Sequence, residues 1–137
     1  MIHESPIPEP GSVLTDRIIA AAIKVHRTVG PGLLESAYRD CLCWELRNAG
    51  MAFDQEVPLS LIYGDMRLEN RYRADIIVER AVVVEVKSVE FVRPVHKAQT
   101  LTYLRLSGCP VGLLMNFNAV LLKDGLHRFI AGSGRGA

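Results

Sequence analysis

Apolar residues from Val13 to Val29 fall at Ile18, Ile19, Ala22, Ile23 and Val29, a spacing that predicts a helix, and Gly30-Pro31-Gly32 stops it. A second helix is expected from about Leu33 to Ala49. Its apolar set includes Leu34, Ala37, Tyr38, Cys41, Leu42 and Leu46, and Gly50 follows in the usual position just past a helix end. After Gly50 the period shortens to that of strands. Phe53 to Tyr63 reads as a strand at an edge or with a bulge, because Pro58 lacks the N–H that a central strand needs. Gly64-Asp65 marks a turn. Tyr72 to Val78 and Val82 to Ser88 form a hairpin across Glu79-Arg80-Ala81.

Helical character returns from Pro94 to Leu106, with Pro94 suited to a first turn, and Gly108-Cys109-Pro110 ends it. Val111 to Phe117 is an apolar, buried strand. Ala119 to Leu122 and Leu126 to Ile130 read as a final hairpin around Asp124-Gly125. The order α, α, β, β, β, α, β, β, β has a helix crossing between two strands, which predicts a mixed sheet.

A chain of 137 residues suits one domain with a single core, and 49% hydrophobic with 23% charged residues is a folded composition. The net charge of +1 gives no global basic field, although a local basic stripe can still bind phosphates. Cys41, Cys43 and Cys109 match no zinc or disulfide spacing and read as reduced thiols of a cytoplasmic protein. Charges interrupt every apolar run before it could cross a bilayer, so no membrane partner is expected. Residues 1–12, rich in Pro and Glu, read as a flexible tail rather than a signal peptide. The domain is then 13–130, and the glycine-rich 131–137 is a second flexible tail.

Chemistry concentrates in Arg73-Ala74-Asp75-Ile76-Ile77-Val78 and Val82-Val83-Val84-Glu85-Val86-Lys87-Ser88. Side chains of a strand alternate, so Val82, Val84 and Val86 share one face and Val83, Glu85 and Lys87 the other. A carboxylate and an ammonium in a strand of valines must be paired, metal-bound or facing a cleft. Asp75, on the preceding strand, can come alongside Glu85. Two carboxylates at one point favour a hard divalent cation, and a neighbouring lysine can hold an attacking water or stabilise phosphate charge. The competing reading is a cross-strand ion pair on a solvated sheet face.

Two helices add candidates. Glu35 leads an apolar stripe with Tyr38, Leu42 and Leu46, and it is either a site acid or a first-turn glutamate favoured by the helix dipole. Gln99 and Tyr103 are one turn apart, with His96 on the same side. They can orient a phosphate and stack on a base, or they line an ordinary solvated face.

Gly32-Leu33-Leu34-Glu35-Ser36-Ala37-Tyr38 resembles the signature of the GxxExxY family, within the PD-(D/E)XK nuclease superfamily. Val25–Gly32, Tyr72–Asp75, Val84–Ser88, His96–Leu104 and Val111–Asn118 resemble that family as well, in the same order, so the likeness covers residues 13–130. It implies an α/β, restriction-endonuclease-like core of order α-β-β-β-α-β, with a mixed central sheet flanked by helices. It also implies Asp75, Glu85 and Glu35 as metal ligands for Mg²⁺ or Mn²⁺, with Lys87 activating water. Gln99 and Tyr103 resemble the Q-x-x-x-Y element of RecB-like nucleases. Asp75, Glu85, Lys87, Glu35 and Gln99 are the catalytic candidates. Gln99, Tyr103, Tyr38, Arg73, His96 and Lys97 are the candidates for substrate contact.

Basic residues on both sides of the acids (Arg67, Arg71 and Arg73; Lys87, Arg93, His96, Lys97 and Arg105) either converge into a phosphate-binding rim or are dispersed charges balanced by Glu45, Glu56, Glu69, Glu79 and Glu90. The reading that results is a Mg²⁺- or Mn²⁺-dependent nuclease with a nucleic acid, DNA rather than RNA, as partner. So small a chain is expected to act as a homo-oligomer or with a protein partner. The alternative is a non-catalytic nucleic-acid-binding or protein-interaction module that keeps the fold.

Overall fold

Helix α1 (Val13–Val29) starts where the Ser12 hydroxyl accepts the Thr15 N–H at 3.0 Å, and it stops at Gly30, whose φ of 69° few other residues tolerate. Helix α2 (Glu35–Asn48) starts without a side-chain cap. Both helices turn apolar stripes inward, with Ile18, Ala22 and Val25 from α1 and Tyr38, Leu42 and Leu46 from α2. The structure is a computed structural model that describes residues 2–7 and 11–131.

The helices pack on one face of a six-stranded mixed sheet of order β1-β6-β5-β4-β3-β2. Its strands are β1 (Ile2–Ser5), β2 (Phe53–Tyr63), β3 (Met66–Val78), β4 (Val82–Lys87), β5 (Val111–Asn116) and β6 (Leu126–Ala131). Among the described residues only β4 and β5 run parallel, because helix α3 (Pro94–Ser107) carries the chain across between them. The α/β architecture with its mixed sheet is therefore the one the pattern predicted. Strand β2 lies at the sheet edge, where Pro58 leaves no ladder bond missing in the interior.

The alternation in β4 holds. Val82, Val84 and Val86 pack with Ile76, Val78, Leu113 and Met115 beneath α1 and α2. Val83 joins Ala74, Ile77, Leu114 and Phe129 against Tyr103 and Leu104 of α3. Glu85 and Lys87 share the parity of Val83, so they belong to the α3 side.

Two expectations are corrected. The segment 1–12 is not a tail throughout, since Ile2–Ser5 pair antiparallel with β6, from Ile2 opposite Ala131 to Ser5 opposite Arg128. This pairing covers an edge of β6 that would otherwise be open, and Glu4 adds an ion pair to Lys97 at 3.0 Å and a contact to His127 at 2.9 Å. The remaining tail expectations at residues 1, 8–10 and 132–137 lie outside the described residues. Nor do Ala119–Leu122 and Leu126–Ile130 form a hairpin. The Ala119 carbonyl meets His26 Nε2 of α1 at 2.8 Å and Leu122 is buried in the α1–α2 core, so this stretch turns away from the sheet. Leu122–Gly125 is a short 3-10 helix, and β6 pairs with β5 and β1 instead.

Gly125 is fixed by close approach. A Cβ there would lie 2.3 Å from the Asn116 carbonyl oxygen, which is main chain and has little room to give. The expected result for Gly125→Ala is a loss of about 1–3 kcal/mol, the usual cost of overpacking a tight site. It is measured as a lower urea midpoint with an unchanged slope.

Candidate active site

The β3–β4 ladder runs from Val78 opposite Val82 to Ile76 opposite Val84 and goes no further. At the next step carboxylates take over from main-chain carbonyls. The Asp75 N–H donates to Glu85 Oε2 at 2.8 Å, and the Val86 N–H donates to Asp75 Oδ2 at 2.9 Å. The two acids expected to meet across the hairpin are thus locked together, each holding a backbone N–H of the opposite strand.

Glu85 is only 3% exposed. Burial, and then the Asp75 charge, push its carboxyl up to about 8, against the pull of its bond from the Asp75 N–H and of the Lys87 and Arg39 charges. Asp75 is raised as well, chiefly by burial, and the bond from Val86 and the charges of Arg39 and Lys87 oppose that. Glu85 Oε1 accepts no hydrogen bond among the described residues. An acid pair with two raised carboxyls and an oxygen free of hydrogen bonds is short of positive charge, and a divalent cation would supply it.

Lys87 lies at the end of β4, half-buried, and its charge favours the ionised form of both acids. Glu35 opens α2 near Asp75, whose carboxyl it helps to raise. The Ser88 N–H donates to Glu35 Oε2 at 3.3 Å, and the Ser88 hydroxyl donates to the Leu33 carbonyl at 2.7 Å. These bonds fasten the start of α2 to the end of β4. From α3, the Gln99 amide donates to the Tyr103 hydroxyl at 3.2 Å, and burial with the Glu85 charge raises the Tyr103 phenol. The acids are therefore approached from both helix layers. Among the described residues, however, no three of His, Cys, Asp and Glu are gathered as a ready metal cluster. Asp75 and Glu85 are the close pair, and Glu35 stands apart on its own bond to Ser88.

Residues 12–129 match the family model of the PD-(D/E)XK nuclease superfamily. The chain belongs to that superfamily. Membership makes nuclease chemistry the activity class and nucleic acid the class of substrate. No curated protein and no solved structure matches the chain. Among the described residues, no helix is long and apolar enough to cross a membrane.

Several candidates for substrate contact have partners of their own in this PD-(D/E)XK fold. Tyr38 is fully buried, its ring stacked on Phe117 with centroids 4.7 Å apart. Its hydroxyl donates to the Gly30 carbonyl at 2.6 Å and accepts the Leu33 N–H at 3.0 Å. It braces the loop before α2 and has no surface to offer a substrate. Lys97 is drawn to Glu4 on β1, across the sheet from β3. His96 caps α3, its Nδ1 accepting the Arg93 N–H at 2.9 Å. Arg73 pairs with Glu56 at 4.0 Å, and Arg67 pairs with Glu69 at 2.6 Å on the same hairpin. Arg67 and Arg73 thus follow the balanced arrangement, each beside a glutamate of its own hairpin.

Two participants went unnoticed in the sequence. Arg39 Nη1 lies 3.4 Å from Asp75 Oδ1, and its only signal is its place one turn after Glu35. Asn116, 4% exposed, accepts the Val89 N–H at 3.0 Å and donates to the Val89 carbonyl at 2.9 Å, clamping the segment that follows Lys87. A polar residue ending an apolar strand was its signal.

Two outcomes follow from this geometry. A glutamate with a raised folded pKa keeps its proton where the unfolded chain has lost it. The Glu85 contribution is therefore intact near pH 4.5 and declines as pH rises toward 8, with Asp75 acting in the same sense. Thermal melts in EDTA should show stability falling over that window, and Glu85→Gln should flatten the fall. Tyr38→Phe removes a hydroxyl that satisfies two main-chain groups, so it should cost about 1–3 kcal/mol by denaturant titration while leaving nucleic-acid affinity unchanged.

Proposed function

We propose that this chain is a small nuclease of the GxxExxY group, dependent on Mg²⁺ or Mn²⁺, that hydrolyses phosphodiester bonds in DNA. The observation that carries the reading is the pairing of Asp75 with the buried Glu85 at the end of the β3–β4 ladder. Gly32, Glu35 and Tyr38 supply the GxxExxY pattern.

Asp75 and Glu85 would hold the metal, with Glu35 as the third acid of the site. All three are oxygen donors, which suits a hard divalent ion. When bound, such an ion supplies Lewis-acid polarisation of the phosphoryl group and acidifies a bound water. The chain's own residues have separate tasks. Lys87 holds the attacking water and offsets charge that develops on phosphate. Gln99, steadied by Tyr103, orients the phosphate with its amide. Ser88 and Asn116 fasten the end of β4 and the start of α2, which supports a common approach of these groups to the acids. We further place the protein in the cytoplasm, in keeping with three free cysteines, and expect it to work as a homo-oligomer or with a protein partner.

One observation favours a second reading, a nucleic-acid-binding module without catalysis. The Arg39–Asp75 ion pair already offsets part of one acid's charge without a metal.

Cleavage assays on single- and double-stranded DNA and on RNA, with Mg²⁺, Mn²⁺ or EDTA, separate the two. The nuclease reading expects DNA cleavage that EDTA abolishes and that Asp75→Ala and Lys87→Ala each reduce roughly 100-fold or more. Full activity in both variants, or activity that survives EDTA, would sink it. DNA binding with no cleavage under any metal favours the module.

A further inference from the structure

Arg39 stands on α2 one turn after Glu35 and reaches the acid pair from the side opposite α3. Its Nη1 sits 3.4 Å from Asp75 Oδ1, longer than the 2.7–2.9 Å of a well-made charge-assisted hydrogen bond. Asp75 Oδ2 accepts the Val86 N–H, so Oδ1 is the oxygen without a main-chain bond. A divalent ion held by Asp75 would meet Arg39 there. The contact also leaves most of the guanidinium unused, since Nη1 to Asp75 is the one hydrogen bond it makes among the described residues, and its side chain stays a quarter exposed. A planar fork with spare donors beside an acid pair is matched to a phosphodiester, whose two non-bridging oxygens it can grip together.

We propose that Arg39 is a placeholder cation for the metal-free site that a divalent ion displaces from Asp75 Oδ1 and that then grips the substrate phosphate. The proposal rests on the nuclease reading and deepens it by assigning a phosphate-contact residue to the same cleft. It links two events in order. While the metal is absent, the guanidinium offsets part of the charge that burial makes costly on Asp75 and Glu85, whose ionised forms it favours. Once the metal takes over that task, the arginine has no acid to answer and its charge is free for the substrate. Lysine would serve the first role but not the second, because an ammonium cannot make the paired contact.

The test measures Mn²⁺ binding by calorimetry without DNA, for wild type, Arg39→Ala and Arg39→Lys, with thermal melts to establish that each is folded. Asp75→Ala serves as the site control. Arg39→Ala is expected to bind Mn²⁺ several-fold more tightly than wild type, since no cation has to leave, and Arg39→Lys should stay close to wild type. Weaker binding by Arg39→Ala would mean that the arginine merely positions Asp75, and the proposal would fall.

The second arm measures DNA affinity in Mn²⁺ on a Lys87→Ala background that does not turn over. There Arg39→Ala should lose at least tenfold and Arg39→Lys should recover only part of it. Unchanged DNA affinity overturns the phosphate role. If wild type itself binds no Mn²⁺, or Asp75→Ala binds it equally well, the nuclease reading fails and this proposal fails with it. A wild type that binds at Asp75, with no gain in Arg39→Ala, sinks the placeholder role alone.

Discussion

Glu85 is buried in a strand of valines, and a carboxylate there carries a desolvation cost that its valine neighbours cannot offset. The groups around it meet that cost in part. The Asp75 N–H binds Glu85 and the Val86 N–H binds Asp75, so the acids complete the hydrogen bonding that the β3–β4 ladder drops after Ile76 and Val84. Lys87 and Arg39 add positive charge without cancelling it, which is why the Glu85 carboxyl still rests near 8. Such a pair is poised to gain from a further cation.

The two helix layers depend on this point as much as they supply it. Helix α2 has no side-chain cap, and its first turn is fastened instead through Glu35 to the Ser88 N–H and through Leu33 to the Ser88 hydroxyl. The buried Tyr38 hydroxyl ties the preceding loop to the same turn from below. On the other face, Tyr103 brings α3 to within electrostatic reach of Glu85 and carries Gln99 with it. Asn116 then fixes the chain leaving β4, so a residue of β5 governs where the strand bearing Lys87 can lead.

Much of this was legible one residue at a time. Helix α1 and strand β2 begin and end where the hydrophobic period changes, and the alternation in β4 placed Glu85 opposite Val84 and Val86 before any fold was known. The D…E-x-K spacing named Asp75 and Glu85, the pair that the structure locks together. What stayed open shares a cause. The sequence allows Lys97, His96 and Arg73 either a converging rim or dispersed places, and in the structure each has a partner close by, in Glu4, the Arg93 N–H or Glu56. Tyr38 carries a polar tip that suggests contact with substrate, yet its hydroxyl serves Gly30 and Leu33 inside the protein.

Periodicity is a local property, because a strand repeats every two residues and a helix every 3.6, so the chain alone settled helices α1 to α3, the strands of its central sheet and the acids they carry. Pairing is not local. Ile2–Ser5 became a strand because β6 left an edge 120-odd residues away, and Ala119–Leu122 left the sheet because His26 and the helical core drew it off. Arg39 came to face Asp75 only when α2 settled beside the end of the β3–β4 ladder. Charge and hydrogen-bond partners are chosen by distance in space, and no spacing along the chain records that distance before the layers have packed.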